Sequence, residues 1–497
     1  MKFLSTRNKE VKVSGAEAIV TGLSHDGGLF VPESFPTVTK EELEAMEEMS
    51  YAERANLVIG KFLPEIEQSL PKMTASAYSR FEDEDPAPVV KIDDGIAVME
   101  LWHGPTHAFK DVALTLLPHL LVESKRVTGN GSRTLILVAT SGDTGKAALE
   151  GFRDVEGTDV IVFYPDEGVS KLQKMQMQTQ KGGNVLVCAI KGNFDDAQTA
   201  VKNIFTDEAV VSALKTKGFE FSSANSMNWG RLVPQIAYYF SAYVDLITGG
   251  EIEYGDEVNF VVPTGNFGNI LAGYYAKRMG LPVGKLVCAS NSNNVLTQFM
   301  ETGEYDKNRE FFKTSSPSMD ILVSSNLERL LFELSGRSDS LTAKRMAELK
   351  EKGVYSLSED ELKALQSEFF AGFASEDEVA DVLGYYFDEY GYIADTHTSV
   401  ALKVYDDFIA ETDDQNFTVV LSTASPYKFV DDVLRDIGEK PGKNELDSLS
   451  KLEDVTALPL PESLRELPTL PVLHSRVVDK TEAVKVVLDY VNDRSKK

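Results

Sequence analysis

From about Gly95 to Ala289 the chain repeats one pattern: a short, continuously apolar run, a loop rich in glycine and hydroxyl side chains, then a longer stretch with apolar residues at helical spacing. The apolar runs are 134–139, 160–164, 185–190, 219–222, 258–262 and 285–289; the helix-period stretches are 144–153, 170–181, 232–247 and 270–279. Runs without polar alternation suit strands covered on both faces, and the stretches between them are long enough to be crossover helices. The pattern therefore predicts an α/β fold with mostly parallel sheets flanked by helices. It returns at 417–421, followed by 426–436.

The remaining sequence divides around this core. Residues 1–94 place the turn Asp26-Gly27-Gly28 before Leu29-Phe30-Val31-Pro32 and continue with helix-period sequence to Lys72, which reads as an amino-terminal cap domain. Residues 95–324 form the α/β core. Residues 325–390 carry charged, helix-forming segments at 340–352 and 358–370 without strong strand signals, and read as a helical insertion. Residues 391–497 complete the core, with closely spaced prolines over 458–471 and an amphipathic helix at 480–491 that should dock on the body. At roughly 100 to 200 residues per domain, a 497-residue chain needs such a division.

Composition narrows the function classes. No apolar run approaches the ~20 residues that span a bilayer, which weighs against membrane functions. The start, Met1-Lys2-Phe3-Leu4-Ser5-Thr6-Arg7, has neither a secretory apolar region nor an Arg-rich transit character, so a cytoplasmic location is expected. Cys188 and Cys288 stand in apolar runs, as buried thiols of a reducing compartment do. A net charge of −28 without a basic stripe opposes nucleic acid and points to a small-molecule partner. Local amides and arginines still decide anion binding, because charges beyond ~8 Å are screened.

The densest chemical signal is His103-Gly104-Pro105-Thr106-His107-Ala108-Phe109-Lys110-Asp111, which leads into the apolar helical run 112–121. A lysine at a helix start opposes the helix dipole, so Lys110 suits a bound anion or a covalent partner better than it suits the helix; the bland alternative is a solvated surface lysine. A second loop follows the run ending at Val262: Pro263-Thr264-Gly265-Asn266-Phe267-Gly268-Asn269. Glycines there admit close approach or positive φ, and free N–H groups at the next helix start favour phosphate. Its GxxG spacing is not the dinucleotide pattern.

Two more polar loops follow strands. Ala139-Thr140-Ser141-Gly142-Asp143-Thr144-Gly145 offers three hydroxyls and a carboxylate, while Thr140 and Ala147 deny it the P-loop pattern around Gly145-Lys146. Ser222-Ser223-Ala224-Asn225-Ser226-Met227-Asn228-Trp229-Gly230-Arg231 ends in an arginine that can grip phosphate bidentately. Its alternative is a helix cap by Ser226 or Asn228 with a surface arginine. Loops at the carboxyl ends of parallel strands converge, so all can meet in one crevice. His25, His119 and His474 stand alone, and Gly104-Pro105 breaks any helical pairing of His103 with His107, so no metal is expected.

The segments 103–111, 141–145, 224–231 and 263–269, with Ser422-Thr423-Ala424-Ser425-Pro426, resemble the threonine synthase family of the long, bacterial and fungal type. The resemblance begins at Phe3-Leu4-Ser5-Thr6-Arg7 and 26–32, includes Met319-Asp320 and Ser325-Asn326-Leu327-Glu328-Arg329, and reaches the proline-rich tail. It implies the tryptophan synthase β-like fold of pyridoxal 5'-phosphate (PLP) enzymes. Lys110 resembles the Schiff-base lysine, Gly265, Asn266, Phe267, Gly268 and Asn269 the cofactor phosphate loop, and Thr423 the partner of the pyridine nitrogen. Asp143 would lie near the ring hydroxyl. Ser141, Thr144, Asn225, Ser226 and Arg231 would bind O-phosphohomoserine, chiefly its phosphate. The implied reaction is γ-elimination and β-addition of water, giving L-threonine and phosphate, in a monomer or homodimer.

The sequence departs from the family at His107, usually apolar, at Ser425 and Tyr427, usually His and Ala, and at Ser324, usually proline; we give His107 and Ser425 no catalytic role. Rival readings are a phospho-lyase releasing 2-oxobutyrate, a serine or threonine dehydratase, which needs no second phosphate site, and a noncatalytic phospho-ligand sensor, for which Lys110 is dispensable.

Overall fold

In the computed structural model, which describes residues 1–140, 142–167 and 169–496, the apolar runs become strands of two separate sheets. The larger has six strands in the order Phe369–Phe373, Val283–Ser290, Val258–Pro263, Phe417–Ser422, Ile96–Glu100, Val89–Asp93. Neighbours are parallel except the last pair. The second has five parallel strands, ordered Val477–Val478, Val185–Ile190, Thr158–Pro165, Arg133–Ala139, Phe219–Ser222. Central strands Thr158–Pro165, Val258–Pro263 and Phe417–Ser422 are buried along their whole length, as runs without polar alternation require.

The helix Trp229–Thr248 is buried on almost every face and packs against the helices Gly268–Arg278, Tyr51–Phe62 and Lys110–Leu114. Its apolar character all round suits this central position. Trp229 ties in the amino-terminal part, with its ring 4.9 Å from Phe3 and 5.3 Å from Phe62, both edge-on. The helix Ala483–Arg494 docks as its pattern predicts, burying Val486, Val487 and Val491 beneath the five-stranded sheet.

Three boundaries differ from the sequence reading. The strand Val89–Asp93 belongs to the six-stranded sheet, so the amino-terminal part ends before 89 rather than at 94. The expected helix at 112–121 is broken into Lys110–Leu114 and Leu117–Val127, with Pro118 in the first turn of the second, where a proline needs no N–H. The stretch 325–390 is not purely helical. Besides the helices Leu327–Leu334, Asp339–Glu351, Glu359–Glu368 and Glu376–Tyr390 it contains Val354–Ser356, paired with Glu304–Asp306, and the sheet-edge strand Phe369–Phe373. That edge strand follows a helix without a turn signal and is only partly buried, which hides it from periodicity.

Among the described residues no helix is long and apolar enough to cross a membrane.

Candidate active site

The lysine loop is locked from both sides. Asp111, fully buried, accepts hydrogen bonds from Thr106 N–H at 2.7 Å and Thr106 Oγ1 at 2.6 Å. Burial pushes its carboxyl up to about 6. Gly104 must lack a side chain, because a Cβ would lie 2.5 Å from Asp111 Cβ. Across the sheet end, Phe109 N–H donates to Thr423 O at 2.9 Å, Ser425 N–H to His107 O at 3.0 Å, and Ala108 bridges Ala424. Lys110 and Thr423 therefore arrive together from adjacent strands, and Lys110 Nζ donates to Ser318 Oγ at 3.3 Å. Lys110 is half-buried, not the solvated lysine of the bland reading.

The glycine loop joins Val258–Pro263 to the helix Gly268–Arg278. Gly265 allows a backbone approach: a Cβ there would sit 2.7 Å from the Ser318 carbonyl oxygen. The left-handed residue, however, is Phe267 at φ 62°. The N–H groups of Gly268, Asn269 and Ile270 have no acceptor within the helix. Asn269 Oδ1 accepts from Tyr238 OH at 2.5 Å and Tyr239 OH at 3.0 Å, which fixes the amide and leaves its buried Nδ2 without a protein partner. Ser324 donates from Oγ to Gly265 O at 2.7 Å and from N–H to Tyr305 OH at 2.9 Å, two bonds that a proline could not make. Asn326 clamps Asn266 O with its N–H and its Nδ2, both at 3.0 Å.

Arg231 is no surface arginine: it is buried, its guanidinium donates to Ala224 O, and its Nε has no partner. Among the described residues no carboxylate pairs with it. Burial alone pushes it down to about 10. Capping falls to Asn228, whose Oδ1 accepts from Gly230 N–H at 2.8 Å. Ser226 Oγ instead lies 3.4 Å from Asn326 Nδ2, and Asn225 is exposed.

In the remaining loop Thr140 Oγ1 accepts from Gly142 and Gly145 N–H, both at 3.0 Å, and Thr144 faces the site. Ser141 and the side chain of Asp143 lie outside the described residues. Lys146 is engaged elsewhere, 2.8 Å from Glu150 and 2.6 Å from Gln180.

One cavity of about 360 Å³ unites these loops. Lys110, Thr144, Asn225, Ser226, Arg231, the loop Gly265, Asn266, Phe267, Gly268 and Asn269, and Thr423 all line it. It also contains Gln235, Ser318, Ser325 and His397, which the sequence reading did not select. Ser318 lies beside the noted Met319-Asp320, and Asp395-Thr396-His397 reads locally as a helix cap, so only convergence in space marks them. His107 turns away: it is buried, its Nε2 is 2.8 Å from Ser463 Oγ, and burial pushes it down to about 3. No group of three or more His, Cys, Asp or Glu that could hold a metal occurs among the described residues.

Chemically, the cavity offers a half-buried amine between two anion-seeking features. The Asn269 Nδ2 left without a protein partner at a helix start fits one phosphate, and the buried Arg231 with its unpartnered Nε fits a second anionic group.

Three family models match: "Threonine synthase N terminus" over residues 2–78, "Pyridoxal-phosphate dependent enzyme" over 83–422 and "Threonine synthase, C-terminal" over 398–488. The chain is 39% identical to threonine synthase-like 1 of Homo sapiens over 86% of its own length, and spans 59% of that protein. It is 37% identical to threonine synthase of Schizosaccharomyces pombe, covering 86% of this chain and 88% of that one. The crystal structure of PLP-bound threonine synthase from Brucella melitensis matches over 100% of both chains, with a TM-score of 0.89 and 38% identity.

Proposed function

Since the chain belongs to the threonine synthase family of pyridoxal-phosphate-dependent enzymes, we propose that it converts O-phosphohomoserine and water into L-threonine and phosphate. The observation that carries this reading is Arg231: a buried cation with no carboxylate partner among the described residues, in the cavity that also holds Lys110 and the helix-start loop. An enzyme acting on an unphosphorylated amino acid needs one phosphate site, for its cofactor; this cavity has the means for two.

In this reading the N–H groups of Gly268 and Asn269 and the Asn269 amide hold the cofactor phosphate, with Gly265, Asn266 and Phe267 shaping the loop. Lys110 bears the cofactor, and Thr423 offers the ring nitrogen a neutral hydroxyl. Bound pyridoxal phosphate supplies an electron-withdrawing ring that stabilises negative charge on substrate carbons near the amine. With that cofactor bound, the Lys110 amine would be the base that takes protons from the α and β carbons; one proton returns to the α carbon and one goes to the γ carbon as it becomes the methyl group, while water gives its hydroxyl to the β carbon and its proton to the released phosphate. Arg231, with Ser226, Asn225 and Thr144, grips the γ-phosphate and stabilises it as it leaves. Ser141 and Asp143 keep the substrate and ring-hydroxyl roles that the family resemblance implies. The two separately buried thiols, Cys188 and Cys288, support a cytoplasmic setting.

The test is to incubate the purified holoenzyme with O-phosphohomoserine and measure organic product and phosphate, with Lys110→Ala as control. Threonine and phosphate in equal amounts, lost in the variant, are expected. Release of 2-oxobutyrate would make the protein a phospho-lyase, and phosphate release that survives Lys110→Ala would sink both.

A further inference from the structure

One buried residue of the cavity has no task in that reading. His397 lies in the first turn of the helix Thr396–Thr412 and is 2% exposed. Its Nδ1 is 2.8 Å from Asp395 Oδ2, and its Nε2 is 3.1 Å from the backbone nitrogen of Ser318. A backbone N–H can only donate, so Nε2 carries no hydrogen and the ring proton sits on Nδ1, given to Asp395. Asp395 is itself 0% exposed and accepts from His397 N–H and Thr398 N–H, both at 3.0 Å, and from the Thr398 hydroxyl. Every one of these partners demands an acceptor, which fixes both the carboxylate and the tautomer of the ring. Phe429 packs at 4.7 Å against the imidazole.

The other end of this chain of bonds is Ser318, in the middle of the short turn Pro317–Met319. The turn is anchored on its far side by Asp320, whose Oδ1 accepts from Asn291 and Asn293 at 2.9 Å and from Thr314 Oγ1 at 2.8 Å. Ser318 meets three parts of the site at once. Its N–H reaches His397, its carbonyl lies against Gly265, and its hydroxyl accepts from Lys110 Nζ at 3.3 Å. Asp320 holds the turn from one side; on the other, the peptide N–H that His397 accepts belongs to the residue that contacts the lysine.

We propose that His397, oriented by Asp395, is a positioning residue that acts through Ser318 on Lys110. By accepting the Ser318 N–H it fixes the turn so that the serine hydroxyl holds the lysine amine in place while that amine is free to move protons. A hydroxyl suits this task because it accepts from the amine's hydrogens and can donate to its lone pair. The proposal rests on Lys110 as the cofactor-bearing lysine.

The two contacts of the imidazole can be separated by substitution. Glutamine places an acceptor near the former Nε2 and keeps the bond to Ser318; asparagine reaches only toward Asp395. In the holoenzyme, His397→Asn and Ser318→Ala should each lower kcat roughly 10- to 100-fold, the loss expected for a misplaced catalytic group, with KM changing far less. His397→Gln should stay within a few-fold of the parent. The double variant Ser318→Ala/His397→Asn should be no worse than Ser318→Ala alone, because one residue works through the other. A second readout needs no substrate: the absorption band of the lysine-bound cofactor should be displaced alike in Ser318→Ala and His397→Asn and unchanged in His397→Gln.

Equal loss in the Gln and Asn variants, additive losses in the double variant, or an unmoved band in Ser318→Ala and His397→Asn would each overturn the proposal. If a His397 variant does not fold, the band of Ser318→Ala decides. Failure of the reading on which it rests shows separately: borohydride would then not fix the cofactor on the Lys110 peptide of the parent protein.

Discussion

Replacing Arg231 by methionine should stabilise the protein while removing its response to phosphate. The side chain is buried at 4% exposure, and burial pushes its guanidinium down to about 10. A lowering of that size is a penalty on the order of 3 kcal/mol on the charged form. The sign is unambiguous. The folded value lies below the unfolded one, so the penalty is fully present at neutral pH and fades only as pH rises past about 10. Methionine has similar reach and no charge to desolvate. It forfeits the hydrogen bond to Ala224 O, about 1 kcal/mol.

The balance is a gain of roughly 2 kcal/mol, which for a chain of this size is about 2 °C in Tm. Scanning calorimetry of the PLP-loaded protein, with and without inorganic phosphate, reads both halves of the claim, because the cofactor already occupies the other phosphate site. The parent should gain about 1.4 kcal/mol at a phosphate concentration tenfold above Kd, and Arg231→Met should gain nothing. For O-phosphohomoserine, kcat/KM should fall at least 10- to 100-fold, the value of a hydrogen bond to a charged group. A variant that melts several degrees lower and still responds to phosphate would show that Arg231 is a structural brace for the 222–231 loop, and the two-anion argument would fail.

Asn269→Asp exchanges the unpaired Nδ2 donor for a carboxylate oxygen of the same shape; cofactor affinity should fall about 10- to 100-fold in a fluorescence titration, and unchanged affinity would remove Asn269 from the phosphate site. Gly265→Ala drives a Cβ to 2.7 Å from the backbone oxygen of Ser318, which cannot swing aside as a side chain could. It should displace the loop and the lysine's partner together, so cofactor retention and kcat both drop while far-UV circular dichroism stays the same. In the Arg345–Glu361 pair burial would raise the carboxyl, but two bonds from Arg345 at 2.8 and 2.6 Å, with those from Ser358, hold it down to about 2. Its stabilisation is complete above about 4.5 and is lost as pH falls toward 2. Glu361→Gln should therefore melt lower than the parent at pH 7 and approach it at pH 3; a gap that widens on acidification would contradict this.

The parts of the fold legible in the sequence are those whose local pattern and tertiary environment agree. Strands such as Val258–Pro263 are buried on both faces and read as unbroken apolar runs, and the tail helix shows its buried Val486, Val487 and Val491 at helical spacing. The division into two sheets was not legible. Which strands become neighbours depends on pairings such as Val258 with Phe417, far apart in sequence, and no periodicity encodes that. The site divides in the same way. Lys110, Gly265 and Arg231 each contradict their local setting, as a cation at a helix start, a residue without a side chain after a strand, or a cation in an apolar helix. Ser318 and His397 contradict nothing locally and acquire meaning only through each other and Lys110.

The glycine loop shows how the parts missed support the part found. The two glycines mark the loop, yet the left-handed conformation falls on Phe267, where a side chain costs about 1–2 kcal/mol. Phe267 is 1% exposed, and burying a ring of that size contributes roughly 2–3 kcal/mol, enough to offset the strain. The ring packs against Phe369, centroids 6.0 Å apart, and Phe369 opens the edge strand Phe369–Phe373. Asn266, one residue before, is clamped by Asn326 from the start of the same 325–390 stretch. A segment that reads as a helical insertion therefore supplies both of these restraints on the glycine loop. It follows that large-to-small substitutions at Phe369, remote from any ligand, should weaken cofactor retention before they unfold the chain.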